Sequence, residues 1–321
     1  MTKKIQKQFE RVIIVTRPSE LEDLIARFNT AGQARFYLEQ AGQDFTRIET
    51  AHKNYVAALK EVKAAIPQDL NQQVLKRDLI ARFSFEVTDL VIVLGQDGLV
   101  SNLAKYLDGQ PIFAVNPDPA IYDGVLLAFR PDTVREDLRQ LFAGKLAGKL
   151  KVKPVTMAKV ETSDGQILLA FNDFFIGAAS HVSARYELDF DGKSEVQSSS
   201  GIIISTGAGS TGWLKSVYRG AINTAKALGG KVLLPKNGGA LAWDTDELPF
   251  IVREPFPSKV TGTNITIGAI TRQKPLVVRS RMATNGVIFS DGIESDYIAF
   301  NAGMQATFSL ADRQALLISP D

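Results

Sequence analysis

The chain of 321 residues contains no cysteine and only two histidines, His52 and His181. Without a thiol there is no disulfide, no thiolate nucleophile, no Cys-held iron–sulfur cluster and no Cys-ligated zinc. Two histidines exclude a three-His metal centre and make a Ser-His-Asp triad a poor candidate. Any metal is then held by oxygen, which suits Mg²⁺ brought in on a nucleotide. Apolar runs of the ~20 residues needed to span a bilayer are also missing, so no membrane partner is expected. The first eleven residues carry Lys3, Lys4, Lys7 and Arg11 but neither the apolar stretch of a secretory signal nor the Ser/Arg richness of a transit peptide. Cytoplasm is the expected location. A strong charge of one sign is absent as well: 37 Lys and Arg stand against 35 Asp and Glu, a formal net charge of +2. That balance gives no reason to expect a nucleic-acid partner. The local cluster Lys145, Lys149, Lys151 and Lys153 fits a solvated helix end and linker.

What is present is ordinary globular usage, 45% hydrophobic and 22% charged, in a length that suits two domains. The first half alternates strand-like and helix-like segments. RVIIVT (11–16), TDLVIVL (88–94) and PIFAV (111–115) are short apolar runs of the buried-strand kind. Between them lie stretches rich in Ala, Leu, Glu, Lys and Gln, which predict helix over 19–41 and 46–65, with Pro67 ending the second. Leu99, Leu103 and Leu107 recur on one helical face, and 132–142 is an amphipathic helix stopped by Gly144. Strands separated by helices imply a doubly wound parallel sheet.

From about Lys151 the pattern changes to short runs separated by turn pairs such as Asp164-Gly165, Asp191-Gly192 and Asn285-Gly286. Predicted strands are 153–161, 167–172, 185–190, 201–206, 250–253, 265–270, 276–281, 287–290 and 306–310, with one long helix over 212–228. The expected fold class is therefore α/β plus mostly antiparallel β: a domain over 1–148 and a β-rich, sandwich-like domain over 149–321. The C-terminal tail is expected to return to the first domain.

Gly95-Gln96-Asp97-Gly98 sits where a buried strand hands over to a helix. In an open parallel sheet ligands bind at the carboxyl ends of the strands. Glycines let backbone approach a phosphate, and a helix N-terminus favours negative charge. A carboxylate there has three readings: a helix cap, a base on a sugar hydroxyl, or a magnesium contact. The second cluster, STGAGSTGW at 205–213, is also a strand–turn–helix passage, with glycines and hydroxyls able to bond a nucleotide. It lacks the Gly-Lys-Ser/Thr of a Walker loop. Trp213 either stacks on a planar ring or packs inward with Val217, Ala221 and Leu228. Asn172-Asp173 ends an apolar strand and Asn116 follows PIFAV, both in places where turn formers are common. Asp291-Gly292 reads as a hairpin turn between 287–290 and 297–300.

Taken in order, GQDG (95–98), VNPDP (115–119), FNDFFIG (171–177) and STGAGSTGW (205–213) resemble the motifs of the NAD kinase family. That family belongs to a superfamily shared with diacylglycerol, sphingosine and phosphofructose kinases. RYELDFDG, QSSSG, FIVREP, VVRSR and FSDG look most like the divergent mitochondrial-type branch, over about 88–317. The resemblance implies a kinase moving the γ-phosphoryl of ATP, with Mg²⁺, to the adenosine ribose 2′-hydroxyl of NAD, in a homo-oligomer. Asp97 would be the catalytic base or orienting group, and Gly95, Gln96 and Gly98 would meet the ATP phosphates. Asn116 would belong to the nucleotide site. Asn172, Thr211 and Gly212 would hold adenine, Asp173 the ribose, and Gly209, Ser210, Trp213 and Ser216 the rest of the dinucleotide. No position for the metal is implied. Gln96 departs from the family's glycine, Asp173 from its glutamate, Trp213 from its tyrosine and 123–126 from its Gly-Phe-Leu. Ser200 replaces an aspartate of the bacterial members. Alternatives are a kinase of the same fold with a nucleoside, sugar or lipid head group as acceptor, or a nucleotide-binding relative without catalysis.

Overall fold

The structure is a computed structural model that describes residues 9–144, 150–232 and 236–320. Lys145 and Lys149 lie outside those residues, as do the first eight, whereas Lys151 and Lys153 are exposed. The chain divides into two compact units, Met1–Lys153 with Leu316–Asp321, and Pro154–Ala315.

In the first unit the order is β1 (Arg11–Thr16), α1 (Glu20–Phe28), α2 (Ala31–Gln40), α3 (Phe45–Ala65), β2 (Asn71–Lys76), β3 (Asp89–Leu94), α4 (Asp97–Ala104), β4 (Pro111–Val115) and α5 (Val134–Phe142). The strands pair in parallel as β2-β1-β3-β4. Every residue of β3 and β4 is buried, as expected of strands covered on both faces. Val12, Ile14, Leu90, Ile92, Phe113 and Val115 pack with Ala58 and Val62 of α3 and with Val134, Leu138 and Leu141 of α5. Each Val, Leu, Ile or Phe among them contributes about 1.5–3 kcal/mol of burial. Phe113 and Phe129 add a ring stack at 3.7 Å.

Two elements of this unit differ from the sequence expectation. The helical stretch 19–41 is two helices, because Asn29 turns to φ +67° and Thr30 caps α2 with its hydroxyl. Strand β2 was not expected at all: NQQVLK is polar and exposed except for Leu75, so no alternation shows, and its parallel pairing with β1 alone makes it a strand.

The remaining strands are β5 (Leu150–Thr162), β6 (Ile167–Ala170), β7 (Asp173–Ala178), β8 (Ala184–Phe190), β9 (Lys193–Ser199), β10 (Ile202–Ser205), β11 (Leu248–Val252), β12 (Ile267–Ile270), β13 (Leu276–Ser280), β14 (Gly286–Ser290), β15 (Ile298–Ala299) and β16 (Gln305–Pro320). Helix α6 (Trp213–Ala227) follows β10. In the second unit β16, β13, β8 and β9 form an antiparallel run, while β12-β11-β10-β7-β14-β15 form a second antiparallel sheet. Tyr186 and Leu188 of β8, Val278 of β13 and Phe308 of β16 share one core with Phe174 and Ile176 of β7, Ile202 and Ile204 of β10, and Phe250 of β11. That is a sandwich of two sheets. The last residues of β16 belong to the first unit, where Leu316 and Leu317 pair in parallel with Pro111 and Ile112 of β4.

The expected fold class is the one found. Strands β7 and β9 are additions. Asn172 forms the corner between β6 and β7, and Asp173 opens β7 instead of ending a strand. Strand β9, KSEVQSS, is too polar to read as a core strand.

At the start of the parallel sheet, Asp89 is fully buried. It accepts from Arg11 Nε and Nη2, each at 2.8 Å, and from the Glu86 amide at 2.8 Å. Arg11 keeps 30% side-chain exposure, so removing Asp89 costs its charge-assisted hydrogen bonds and not a stranded buried charge. Asp89→Ala should therefore lower stability by about 1.5–3 kcal/mol, seen as a lower urea midpoint.

Candidate functional site

Strand order places the candidate site of the first unit. The connection through α1–α3 carries the chain from β1 to β2 on one side, and the next strand, β3, lies on the other side of β1. The β1–β3 boundary is thus a topological switch point, where open α/β sheets take ligands at the strands' carboxyl ends. A cavity of about 350 Å³ opens there, with Arg17 and Ser19 after β1, Gly95 and Gln96 after β3, and Asp118 and Tyr122 after β4 on its walls. The Tyr55 hydroxyl bridges the boundary, accepting from the Arg17 amide and donating to the Leu94 carbonyl, both at 3.3 Å. Burial pushes its pKa up to about 12.

Gln96 is the N-cap of α4, at φ −96° and ψ 163°. This is extended backbone open to any residue, so the missing family glycine introduces no strain. Its side chain makes no cap bond; instead its Oε1 accepts from Arg17 Nη1 at 2.5 Å. Asp97 is the first residue of α4, and the helix-cap reading of its carboxylate is overturned. Asp97 Oδ1 accepts from the Leu126 amide at 2.9 Å and Oδ2 from the Val125 amide at 3.1 Å. Two backbone donors therefore fix the orientation of the carboxylate.

The loop that supplies them is held by Asn116. Asn116 Nδ2 donates to the Tyr122 carbonyl at 2.8 Å, and its Oδ1 accepts from the Asp118 amide at 3.1 Å. Gly124 packs against it at φ +64°, where a Cβ would stand 2.6 Å from Asn116 Nδ2. Buried to 4% exposure, Asn116 shapes the loop and does not line the cavity. Gly98 is exposed and also off the cavity wall.

In the second unit the corner between β6 and β7 and the turn after β10 are locked together. The Thr206 amide donates to the Asn172 carbonyl at 2.8 Å, and the Thr206 hydroxyl to the Phe171 carbonyl at 2.6 Å. Gly209 lies so close that a Cβ would be 2.1 Å from the Asn172 carbonyl oxygen. Ser210 is buried, donating to the Gly207 carbonyl at 2.7 Å and accepting from the Leu241 amide at 2.9 Å. It holds the turn. Thr211, Gly212 and Ser216 are exposed.

Trp213 opens α6 half-exposed, stacked on Phe175 at 5.9 Å and 14°, with the Arg253 guanidinium 5.9 Å from its ring. The inward-packing alternative fails, since Leu228 is 83% exposed and Ala221 exposed as well. Phe175, Trp213, Phe289 and Tyr297 line a cleft of about 580 Å³ together with Arg253, His181 and Glu294. Such a cleft can take a flat aromatic ring carrying polar groups.

Asp291 is the residue that sequence reasoning missed. At φ +56° it follows β14, and Gly292 leads into a longer connection than a tight hairpin turn. Its carboxylate turns back and accepts from the amides of Asn172 at 2.6 Å, Phe171 at 3.1 Å and Asp173 at 3.4 Å. Burial, with Asp291 nearby as a second cause, pushes the Asp173 pKa up to about 7. An Asp-Gly after an apolar strand is a common turn signal, and only the distant amides distinguish this one.

With the geometry in place, the comparison with known structures is direct. Yeast NADH kinase, solved with NADH, matches at a TM-score of 0.59 and 10% identity, over 98% of this chain and 84% of that one. An NAD kinase from Archaeoglobus fulgidus, solved with ATP, matches at 0.52 and 17% identity, over 96% and 92%. The fold is that of the NAD kinases. No family model and no curated protein matches the sequence. In this NAD kinase fold the four resembling motifs fall on strand ends and turns: GQDG after β3, Asn116 after β4, Asn172-Asp173 between β6 and β7, and 205–213 after β10.

Asp173 gives the site a measurable signature. A carboxyl whose folded pKa is about 7 against an ordinary 3.8 keeps a proton on folding that the unfolded chain releases. Its contribution to stability is complete below about pH 4 and is lost as pH rises through 7. Asp173→Asn should therefore be more stable than the parent above pH 7, by roughly 1 kcal/mol or more, with the gain shrinking toward pH 5. Urea melts at pH 5 and pH 8 check this, and an equal shift at both would assign the change to packing.

Proposed function

We propose that the protein transfers the γ-phosphoryl of ATP, carried with Mg²⁺, to the adenosine ribose 2′-hydroxyl of NAD, giving NADP. The observation that carries this is Asp97, a carboxylate fixed by the Val125 and Leu126 amides where a buried strand meets a helix. A carboxylate has about four lone-pair sites, so half remain open to a hydroxyl. Asp97 takes the hydroxyl proton as that oxygen bonds to the γ-phosphorus, and the bond to the leaving ADP oxygen breaks. General-base help of this kind contributes ~10²–10⁴-fold. Alignment and neutralisation of phosphate charge supply most of the rest.

The fold shared with an NADH kinase and an NAD kinase supports this reading. So does the aromatic cleft beside Trp213, where the indole stacks on Phe175, and Phe289 and Tyr297 share the lining. Adenine is assigned to Asn172, Thr211 and Gly212, a ribose to Asp173, and the rest of the dinucleotide to Trp213 and Ser216. Mg²⁺ takes one or two carboxylates when phosphates supply its other oxygens. Asp97 and Asp118 are the carboxylates at the strand ends that fit it, and the ion would neutralise developing phosphate charge. A cytoplasmic homo-oligomer goes with this assignment.

The test is to incubate the protein with Mg-ATP and NAD, NADH, nucleosides and sugars, and to weigh the products. NAD gaining one phosphate at the 2′-position is expected. A sugar or nucleoside gaining it instead would reassign the acceptor and leave the kinase chemistry standing. Asp97→Asn keeps an oxygen acceptor for one loop amide but loses the charge. Turnover should fall at least about a hundredfold, with a melting temperature close to the parent's.

A further inference from the structure

Gln96 departs from the glycine of the pattern it resembles, and its side chain is committed to one partner, Arg17. Four observations give that pair a direction. First, Arg17 and Gln96 stand on opposite banks of the β1–β3 switch point, and both line the cavity there. Second, Arg17 spends one N–H on Gln96 at 2.5 Å and a second on the Pro18 carbonyl at 3.4 Å. A guanidinium carries five N–H donors, so most of its fork remains open. Third, the α4 N-terminus behind Gln96 has no side-chain cap, and its first amides lack intrahelical acceptors. Fourth, the carboxylate of the next residue, Asp97, is turned onto the Val125 and Leu126 amides and does not line this cavity.

Two of the carboxylates that do line it already accept from protein groups. Asp118 accepts from Asn54 Nδ2 at 2.7 Å and from the Ala120 amide at 3.2 Å, and Glu20 faces Arg47 at 3.4 Å. Asp23 is the remaining acid of a lining that also carries Arg17 and Arg27.

We infer that Arg17 binds the phosphate chain of the phosphoryl donor in this cavity, and that Gln96 is the positioning residue that aims it. Where a glycine would let backbone amides approach a phosphate, this chain supplies a planar, permanently charged fork suited to phosphate oxygens. Gln96 suits the role because its oxygen orients the guanidinium without cancelling its charge. This inference depends on the kinase reading only for the identity of the donor; the anion site stands on Arg17 itself.

Inorganic tripolyphosphate with Mg²⁺ is the probe, titrated by calorimetry into the whole protein. Parent protein should bind it, and Arg17→Ala should weaken binding at least tenfold, with Arg17→Lys recovering part of the loss. Gln96→Ala should weaken it several-fold. Gln96→Glu, which still engages Arg17 but brings a negative charge, should weaken it more than Gln96→Ala. In kinase assays the same variants should raise KM for ATP more than they lower kcat, while quenching of Trp213 by NAD stays at the parent value. A structural defect would instead lower the melting temperature and disturb NAD quenching as well.

The inference is overturned if the parent binds neither tripolyphosphate nor ATP, or if folded Arg17→Ala binds as the parent does. It is also overturned if Arg17→Ala or Gln96→Ala binds more tightly, which would make the pair a plug. Arg17-dependent tripolyphosphate binding in a protein that phosphorylates no acceptor would support the inference and sink the kinase reading.

Discussion

Strand β3 contributes six consecutive buried residues, Asp89–Leu94, and β4 contributes five, Pro111–Val115. A parallel strand covered on both faces has no side on which to expose polar groups. Its one buried acid, Asp89, is neutralised at the strand's start by Arg11. Everything else polar is displaced to the carboxyl end, where the chain emerges as Gly95-Gln96-Asp97 after β3 and as Asn116-Pro117-Asp118 after β4. The candidate chemistry of the first unit is concentrated there because the core excludes it elsewhere.

In the second unit one charge organises the corresponding place. The corner at Phe171–Asp173 leaves three backbone amides directed at one point, and the Asp291 carboxylate receives them. Burial, with that negative charge close by as the lesser cause, raises the proton affinity of Asp173. Perturbed carboxyls of this kind concentrate at functional sites. The turn at 206–210 is then built onto the same corner through Thr206 and Gly209, with tolerances too tight for any side chain at Gly209.

Both places pair a rigid backbone with a few uncommitted side-chain atoms. Asn116, Ser210 and Thr206 are consumed in holding loops, whereas half of the Asp97 lone pairs are left available and the exposed Ser216 hydroxyl donates only within its own helix, to the Gly212 carbonyl. The two kinds look alike in a sequence, since each is a small polar residue beside a glycine.

The sequence by itself determined the alternation of buried strands and helices over the first half and the antiparallel texture of the second, because apolar periodicity and turn residues are local properties. Segments such as RVIIVT and PIFAV became strands with the limits their composition indicates. It also determined where chemistry could lie, since polar, glycine-bearing residues follow those runs. Tertiary structure alone decided the rest. NQQVLK became β2 because β1 offered it a parallel edge, and KSEVQSS became β9 because β8 offered it an antiparallel one. Asp97 turned from α4 to the 125–126 amides, Asp291 reached back some 120 residues to the Asn172 corner, and Gln96 found Arg17 79 residues earlier. Each is a hydrogen bond between residues far apart in the chain, whose partner is set by strand order and not by the neighbours on either side.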